Sequence, residues 1–428
     1  MSTTRAHPHP PTPDRAATGR DPTNRDPADG NPIFDRDFAR DLHAQYAAMR
    51  AEGPVRRLHL VSGLPVWVIT RHAEARAALT DVRLSKDFRR AREVMNEQLP
   101  PDVDRRNFVE SLASHMLNQD PPDHTRLRKL VAKGFTAKRV EALRPRVEEL
   151  AAELLDDIEG RPEVDLLDAF AFPLPITVIS ELLGVDDARR DEFRQWSHAL
   201  LGGGDRETSR SAAEQMSQYL TELIAEKRRH PADDLVSALI DVREEEDRLS
   251  EAELIAMIFL LLVAGHETTV NLIGNCVLAL LRHPDQFAAL RADPALVPKA
   301  IEETLRYDGP LHAATMRYTA EPVRVGDVDI PAREIVMISL GAANRDAEQH
   351  DLAEEFHLDR RSSGHLAFGH GIHFCLGAAL ARLEGQIAVR QLVERFPDLT
   401  IGCSADDLEW RFSTLIRGLE KLPVRPRP

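Results

Sequence analysis

The sequence predicts a mainly α-helical protein with small β-sheets. Apolar residues recur at helical spacing over 138–159, 176–184, 211–229, 250–282 and 296–307. Runs with strand-like composition are few and short. No internal repeat and no second linker interrupts the chain after residue 32, so a single domain over 32–428 is expected.

The opening segment, 1–31, carries Pro8, Pro10, Pro11, Pro13, Pro22 and Pro27 among Asp, Arg and Thr. It holds too little apolar surface to offset the entropy lost on ordering, so a disordered leader is expected. It also lacks the apolar stretch of a signal peptide. Val55–His59 and Leu64–Thr70, joined through Ser62 and Gly63, predict a hairpin. Helical patterns follow, and β-prone pieces return only at 323–330, 334–339 and 398–402. The most informative helix is 250–282. Ser250 and Glu253 form a capping-box pattern at its start, and Arg282-His283-Pro284 stops it. It is apolar nearly all round and should run through the core. Yet its middle reads Ala264-Gly265-His266-Glu267-Thr268-Thr269. A glycine, an acid and two hydroxyls are costly in a buried helix unless a site requires them.

Lysine and arginine total 55 against 70 aspartates and glutamates, a formal net charge of -15. That balance argues against nucleic acid or an anionic membrane as the main partner. The longest apolar run, 257–265, is far too short to span a bilayer. Cys276, Cys375 and Cys403 form no CxxC pair, which argues against zinc ribbons, iron–sulfur clusters and dithiol redox motifs. So few cysteines suit a reducing cytoplasm. No flavin or nicotinamide fingerprint is visible, so any electrons would come from separate proteins.

The strongest local signal is Phe368-Gly369-His370-Gly371-Ile372-His373-Phe374-Cys375-Leu376-Gly377. One cysteine sits among spaced glycines and aromatics, just before a helix starting near Leu376. Glycines permit close backbone approach to a flat cofactor. A helix N-terminus and nearby amides favour thiolate over thiol. A buried cysteine in a glycine-rich turn is the plainer reading. It does not explain six positions (Phe368, Gly369, Gly371, His373, Cys375, Gly377) held at set spacing.

This segment resembles the haem-binding loop of the cytochrome P450 family. The resemblance implies haem b with Cys375 as its anionic sulfur ligand, an arrangement that favours O–O cleavage. It implies a propionate contact for His373 and packing near the sulfur for Phe368, with Gly369 and Gly377 shaping the loop. Residues 264–269 resemble the family's oxygen-binding helix. There Thr268 can bond the Ala264 carbonyl, locally opening the helix for O2, and Glu267 can help relay protons. A kinked core helix with a satisfied polar cluster would read the same way.

Glu303-Thr304-Leu305-Arg306 matches the family's ExxR. Glu141/Arg144, Glu226/Arg229 and Glu321/Arg324 share its spacing, so only its place between the oxygen helix and the cysteine loop selects it. The implied role is structural, with Arg360 as third partner. His124 and Arg128 share a helix face at i,i+4 and match propionate positions, as does Arg317. Arg126, Lys129 and Lys133 fall on the opposite face. They read either as a docking patch for an acidic ferredoxin or as a solvated basic surface.

The resemblance spans 32–425 and includes Trp410-Arg411 and 417–424. It departs at Ala347, His350 and Ala353, where the family carries prolines and a phenylalanine, which bears on local rigidity and on Arg360. Stretches 120–131, 173–185, 261–273 and 364–384 are most similar to actinomycete macrolide hydroxylases of the pikromycin-pathway kind. Specificity is expected in a loop at 88–116, near 196–212, at 311–316 and at Ser413-Thr414-Leu415. The first of these carries Arg89, Arg90, Arg92, Glu93, Glu97, Asp102, Asp104 and Glu110. Its acids either pair with an amino sugar or are solvated loop charges.

The resemblance thus implies a cytoplasmic, monomeric monooxygenase that hydroxylates or epoxidises a bulky macrolide or polyketide. Ferredoxin and ferredoxin reductase would draw electrons from NAD(P)H. Two alternatives stand beside it. One is coupling, desaturation or peroxide-driven chemistry on the same fold; the Glu267-Thr268 pair argues against peroxide dependence. The other is a haem sensor or carrier without enzymatic activity, disfavoured because no fused output domain is visible.

Overall fold

Ser250 caps the long helix Glu251–Arg282, and the reciprocal bond from the Ser250 N–H to the Glu253 carboxylate measures 2.8 Å. The computed structural model describes residues 34–100, 112–186, 189–203, 206–242, 248–360 and 364–427. The expected 1–31 leader, and Asp102, Asp104 and Glu110, lie outside these. By length and hydropathy alone the long helix is able to cross a bilayer; most of it is instead buried inside the protein. Helices Pro173–Leu183, Val297–Asp308, Ala378–Arg395 and Arg206–Arg229 pack around it. Gly265 explains part of the mid-helix composition. A Cβ there would meet Ile179 Cγ1 at 2.8 Å, so the glycine permits close approach of Pro173–Leu183.

Several helices differ from expectation for local reasons. The 138–159 pattern is two helices, Ala137–Ala142 and Arg144–Ile158, because Pro145 lacks an N–H and favours a helix start. The 176–184 helix begins at Pro173 and ends at a left-handed Gly184. The 211–229 helix begins at Arg206. The segment read as a loop over 88–116 opens with a helix, Phe88–Gln98, capped by Asp87 accepting from Arg89 and Arg90 N–H. Its charges hid the pattern, because Val94 alone among its described residues is buried. Glu97 on this helix is paired with Arg333 at 2.6 Å, at the surface.

The hairpin forms between Val55–His59 and Pro65–Ile69, registered Val55 to Ile69. It edges a five-stranded sheet that continues through Ile335–Ile338, Arg317–Thr319 and Leu84–Ser85. The last pairing sets Ser85 opposite Tyr318, which carries Lys86 toward Arg317. The 323–330 piece is itself a hairpin, Val323–Val325 with Val328–Ile330, turning at Gly326. Thr400–Ile401, Val164–Asp165 and Pro423–Arg425 make a third sheet.

Glu303 and Arg306 are fully buried side chains on Val297–Asp308. They meet in two bonds of 2.8 and 2.9 Å, and Arg360 Nε donates to Glu303 at 3.0 Å. Arg306 also donates to the carbonyls of Asn344, Ala353 and Glu355. Arg360 donates to those of Asp351, Leu352 and Glu355. The segment that holds Ala347, His350 and Ala353 is therefore fastened by two guanidinium groups. His350 adds a buried ring packed edge-on to His72, centroids 5.8 Å apart.

Removing Glu303 leaves two guanidinium groups without their shared carboxylate. Glu303→Ala should lower unfolding stability by about 3–5 kcal/mol, read as a shifted urea midpoint. Arg144→Ala, at the exposed Glu141 pair of equal spacing, should cost under about 0.5 kcal/mol.

Candidate active site

Gly369 and Gly371 both take positive φ, +73° and +75°, and bend the cysteine loop. A Cβ on Gly371 would also meet Thr80 Cγ2 at 2.8 Å. The Cys375 N–H donates to the Phe368 carbonyl at 2.9 Å and closes the loop. Cys375 stands two residues before Gly377, the N-cap of Ala378–Arg395. Burial pushes the thiol above its ordinary range, while the Gly377 N–H, Arg128 and Arg382 act to lower it. Cys375 is solvent-accessible and yet strongly desolvated. Those two properties together place it on the wall of an interior cleft. The Arg382 guanidinium lies 4.5 Å from the Phe368 ring centroid and is held by Glu302 at 2.6 Å.

A second partly open stretch lies on the long helix. Ala264 is exposed and Thr268 half-buried, one turn apart on a helix most of whose residues are buried. Thr268 Oγ1 donates to the Ala264 carbonyl at 2.9 Å. The helix nevertheless runs unbroken through this turn, which corrects the expected local opening. A carbonyl has two lone pairs, so the side-chain bond coexists with the helical one.

Glu267 points elsewhere. Its carboxylate is buried and accepts from Ser197 Oγ at 2.8 Å and Arg411 Nη1 at 2.9 Å, with His266 Nε2 at 3.7 Å. Burial works to raise its pKa, but His266 and Arg411 prevail and hold it below the ordinary carboxylate value. Glu267 is thus an ion-paired carboxylate whose bonds run to Ser197 and Arg411, away from its neighbour Thr268. Arg411 also reaches His198 Nδ1 at 3.0 Å, and Ser413 Oγ donates to the Leu201 carbonyl at 3.0 Å. The 197–201 segment is tied to both the long helix and the C-terminal turn.

A third group gathers beside the cysteine loop. His124 and Arg128 share a face of Asp123–Ala132. The His124 ring meets His373 edge-on, centroids 4.3 Å apart. Arg128 donates to the Phe374 carbonyl at 2.7 Å, and Arg317 to the Leu84 carbonyl at 3.3 Å. Both ring nitrogens of His124 and the Nε of Arg317 are buried without a hydrogen-bond partner. Burial, followed by the charge of Lys86, drives the His373 pKa down to about 2; His124, Arg317 and Arg128 add to it. Buried donors in excess of acceptors cost about 1–3 kcal/mol each. The corner is chemically matched to an anionic group, and a cofactor bearing carboxylates fits it.

Arg126 does not join an exposed patch. It is paired with Glu253, the capping-box partner of Ser250, which corrects that part of the basic-face expectation. Lys129 and Lys133 are exposed. Four residues at or near the site escaped the sequence reading: Lys86, Ser197, Arg382 and Glu384. Arg411 was noted there only as framework. The Glu384 carboxyl is buried beside the Thr269 hydroxyl, and burial raises its pKa well above the ordinary value. An acid inside the apolar stretch of Ala378–Arg395 was a readable signal.

A cytochrome P450 family model matches residues 176–402. Cytochrome P450 107B1 of Saccharopolyspora erythraea is 61% identical over 393 residues, covering 92% of this chain and 97% of that one. The 6-deoxyerythronolide B hydroxylase of the same organism is 46% identical over 395 residues, covering 91% and 96%. The solved structure of the tirandamycin C-bound P450 monooxygenase TamI superposes with a TM-score of 0.87 at 47% identity, covering 92% and 99%. The chain belongs to the cytochrome P450 family. It is a monooxygenase of that family, which carries a haem-thiolate cofactor and works with redox partners on small molecules.

Glu384 supplies a pH test. Its folded pKa lies above the unfolded value of about 4.3. Between those two values the native state holds a proton that the unfolded chain has released, so wild-type stability falls as pH rises. Glu384→Gln removes the ionisation. Its urea midpoint should match wild type near pH 4.5 and exceed it at pH 8; parallel pH profiles would show that Glu384 is not a neutral acid.

Proposed function

We propose that this protein binds haem b through Cys375 and inserts one atom of O2 into a bulky, largely apolar polyketide or macrolide. The observation that carries the reading is the cysteine loop with the corner beside it. A desolvated cysteine stands two residues before a helix N-cap, and the neighbouring corner holds the unpartnered Arg317 Nε and His124 ring nitrogens. Bound haem supplies the oxidising chemistry, with the second oxygen atom leaving as water.

The chain's own groups then have separable tasks. The Gly377 N–H, Arg128 and Arg382 stabilise negative charge on the Cys375 sulfur. His124, Arg128, Arg317 and His373 would hold the propionates, and the backbone at Gly369 and Gly377 would let the porphyrin approach the loop. Phe368, under Arg382, would pack on the cysteine loop beside the cofactor. Thr268 presents a hydroxyl oriented by its bond to Ala264 and delivers a proton at Oγ1. Glu267 must leave Arg411 or Ser197 before it resupplies that proton. Glu303, Arg306 and Arg360 act only as support.

We assign the substrate walls to partly exposed apolar side chains. Phe259 and Leu260 on the long helix, Leu311, Ala314 and Met316, and Leu415 are all partly exposed. Such a lining suits a large hydrophobic molecule held by few polar contacts. The relative that hydroxylates 6-deoxyerythronolide B supports the polyketide class. A ferredoxin with its reductase, fed by NAD(P)H, is the donor that an acidic protein with exposed Lys129 and Lys133 would accept. The enzyme is read as a cytoplasmic monomer.

Reduced protein exposed to carbon monoxide should show the red-shifted Soret band of a thiolate–haem complex, and Cys375→Ala should abolish it. Persistence of that band in the variant would remove Cys375 as ligand. In Thr268→Ala, product formation should fall by roughly 100-fold while NAD(P)H consumption continues as hydrogen peroxide. Unchanged yield of product per electron would take Thr268 out of proton delivery.

A further inference from the structure

Glu302 precedes Glu303 on Val297–Asp308, and its side chain leaves the helix about 100° away from that of its neighbour. Its carboxylate gathers two further elements. Arg382 of Ala378–Arg395 donates to it twice, Nε to Oε1 at 2.6 Å and Nη2 to Oε2 at 3.0 Å. His365, in the segment that enters the cysteine loop, meets Oε2 through Nε2 at 3.1 Å. The Ala367 N–H donates to the other ring nitrogen at 3.3 Å, so Nε2 carries the hydrogen and donates to Glu302. Burial works to raise the Glu302 pKa, but His365 and Arg382 outweigh it and hold the value at about 2. Glu302 is therefore an anion with three donors.

This clamp decides where the Arg382 charge falls. Two parallel bonds to one carboxylate fix the plane of a guanidinium group. Its central carbon lies 4.5 Å from the Phe368 ring centroid, and the Phe368 carbonyl accepts from the Cys375 N–H. Arg382 acts to favour the anionic sulfur, so the positive end of the ion pair is the end that Cys375 senses. Without the clamp the guanidinium has water to turn to, because its side chain is 32% exposed. An exposed contact of a cation with a ring is worth only about 0.5–1 kcal/mol and holds it weakly. Arg128, the other guanidinium that acts on the sulfur, is tied directly to the loop through the Phe374 carbonyl.

We propose that Glu302 is a positioning residue for the sulfur ligand: by clamping Arg382 over Phe368 it keeps a cation beside the Cys375 thiolate and so sets how readily the iron takes up an electron. This rests on the haem reading above. A cation near the sulfur favours the less positive, reduced state. Once Glu302 is gone, Arg382 turns to water, where its charge is screened, and the iron becomes harder to reduce.

The experiment is a spectroelectrochemical titration of the haem-loaded, substrate-free protein. Arg382→Gln should shift the ferric-to-ferrous ratio at a fixed potential about tenfold toward ferric, a midpoint about 59 mV more negative. Glu302→Ala should move the midpoint in the same direction, although it removes a negative charge. The double variant should match Glu302→Ala, because there Arg382 has already left the sulfur. Should Glu302→Ala fold poorly, Glu302→Leu, which fills the same space, takes its place; a red-shifted carbonyl band in each variant shows the ligand intact. A midpoint that moves positive on removing Glu302 would overturn the proposal, since Arg382 would then keep its place unaided and Glu302 would only offset its charge. So would a wild-type midpoint in either single variant, or a further negative shift in the double. A wild-type protein without the red-shifted carbonyl band would fail the haem reading itself; a normal band with wild-type midpoints in the variants fails only this inference.

Discussion

Arg306 is among the largest fully buried side chains in the protein, and it is held by one carboxylate and three main-chain carbonyls. Its partner Glu303 also accepts from Arg360 and from the His357 N–H. This network costs desolvation, so it is a poor device for stability as such. Its effect is geometric. It joins the helix Val297–Asp308 to the irregular segment 344–360, which runs directly into the cysteine loop. Leu366 N–H bonds to Asn344 Oδ1 at 2.6 Å, carrying that order up to the loop itself. Two guanidinium groups thus fix the backbone on either side of Ala347, His350 and Ala353.

The long helix separates two jobs that its sequence places side by side. Successive helical residues project about 100° apart. Thr268 consequently lies on the partly exposed side of the helix with Ala264, while Glu267 turns toward Ser197 and Arg411. The acid is close to the hydroxyl along the chain but sits in a different environment, charged and paired. Proton delivery through it requires an ion pair to open, and the groups holding that pair belong to the 197–201 segment and the C-terminal turn. Glu267, the 197–201 segment and the C-terminal turn thus share bonds.

Much of this was legible in the sequence, for identifiable reasons. The long helix announced itself through Ser250, Glu253 and an all-round apolar surface. The cysteine loop did so through fixed spacing, and Glu303 with Arg306 through order alone. The helix Phe88–Gln98 was not legible, since its charges mask a single buried position. Nor were Lys86 and Arg411, whose contacts reach partners 229 and 144 residues away. Local pattern carries no information about such distant pairings. Glu384 stands between the two cases: an acid in an apolar helix was the same anomaly that drew attention to Glu267.

The central claim is that one iron sits between Cys375 and the Ala264–Thr268 turn. An anomalous difference map collected at the iron edge on crystals of the purified protein tests it most directly. The account predicts a single strong peak within bonding reach of Cys375 Sγ, with carboxylate density against His124, Arg317 and His373. An iron peak held by histidines elsewhere, or a Cys375 sulfur without one, would contradict it.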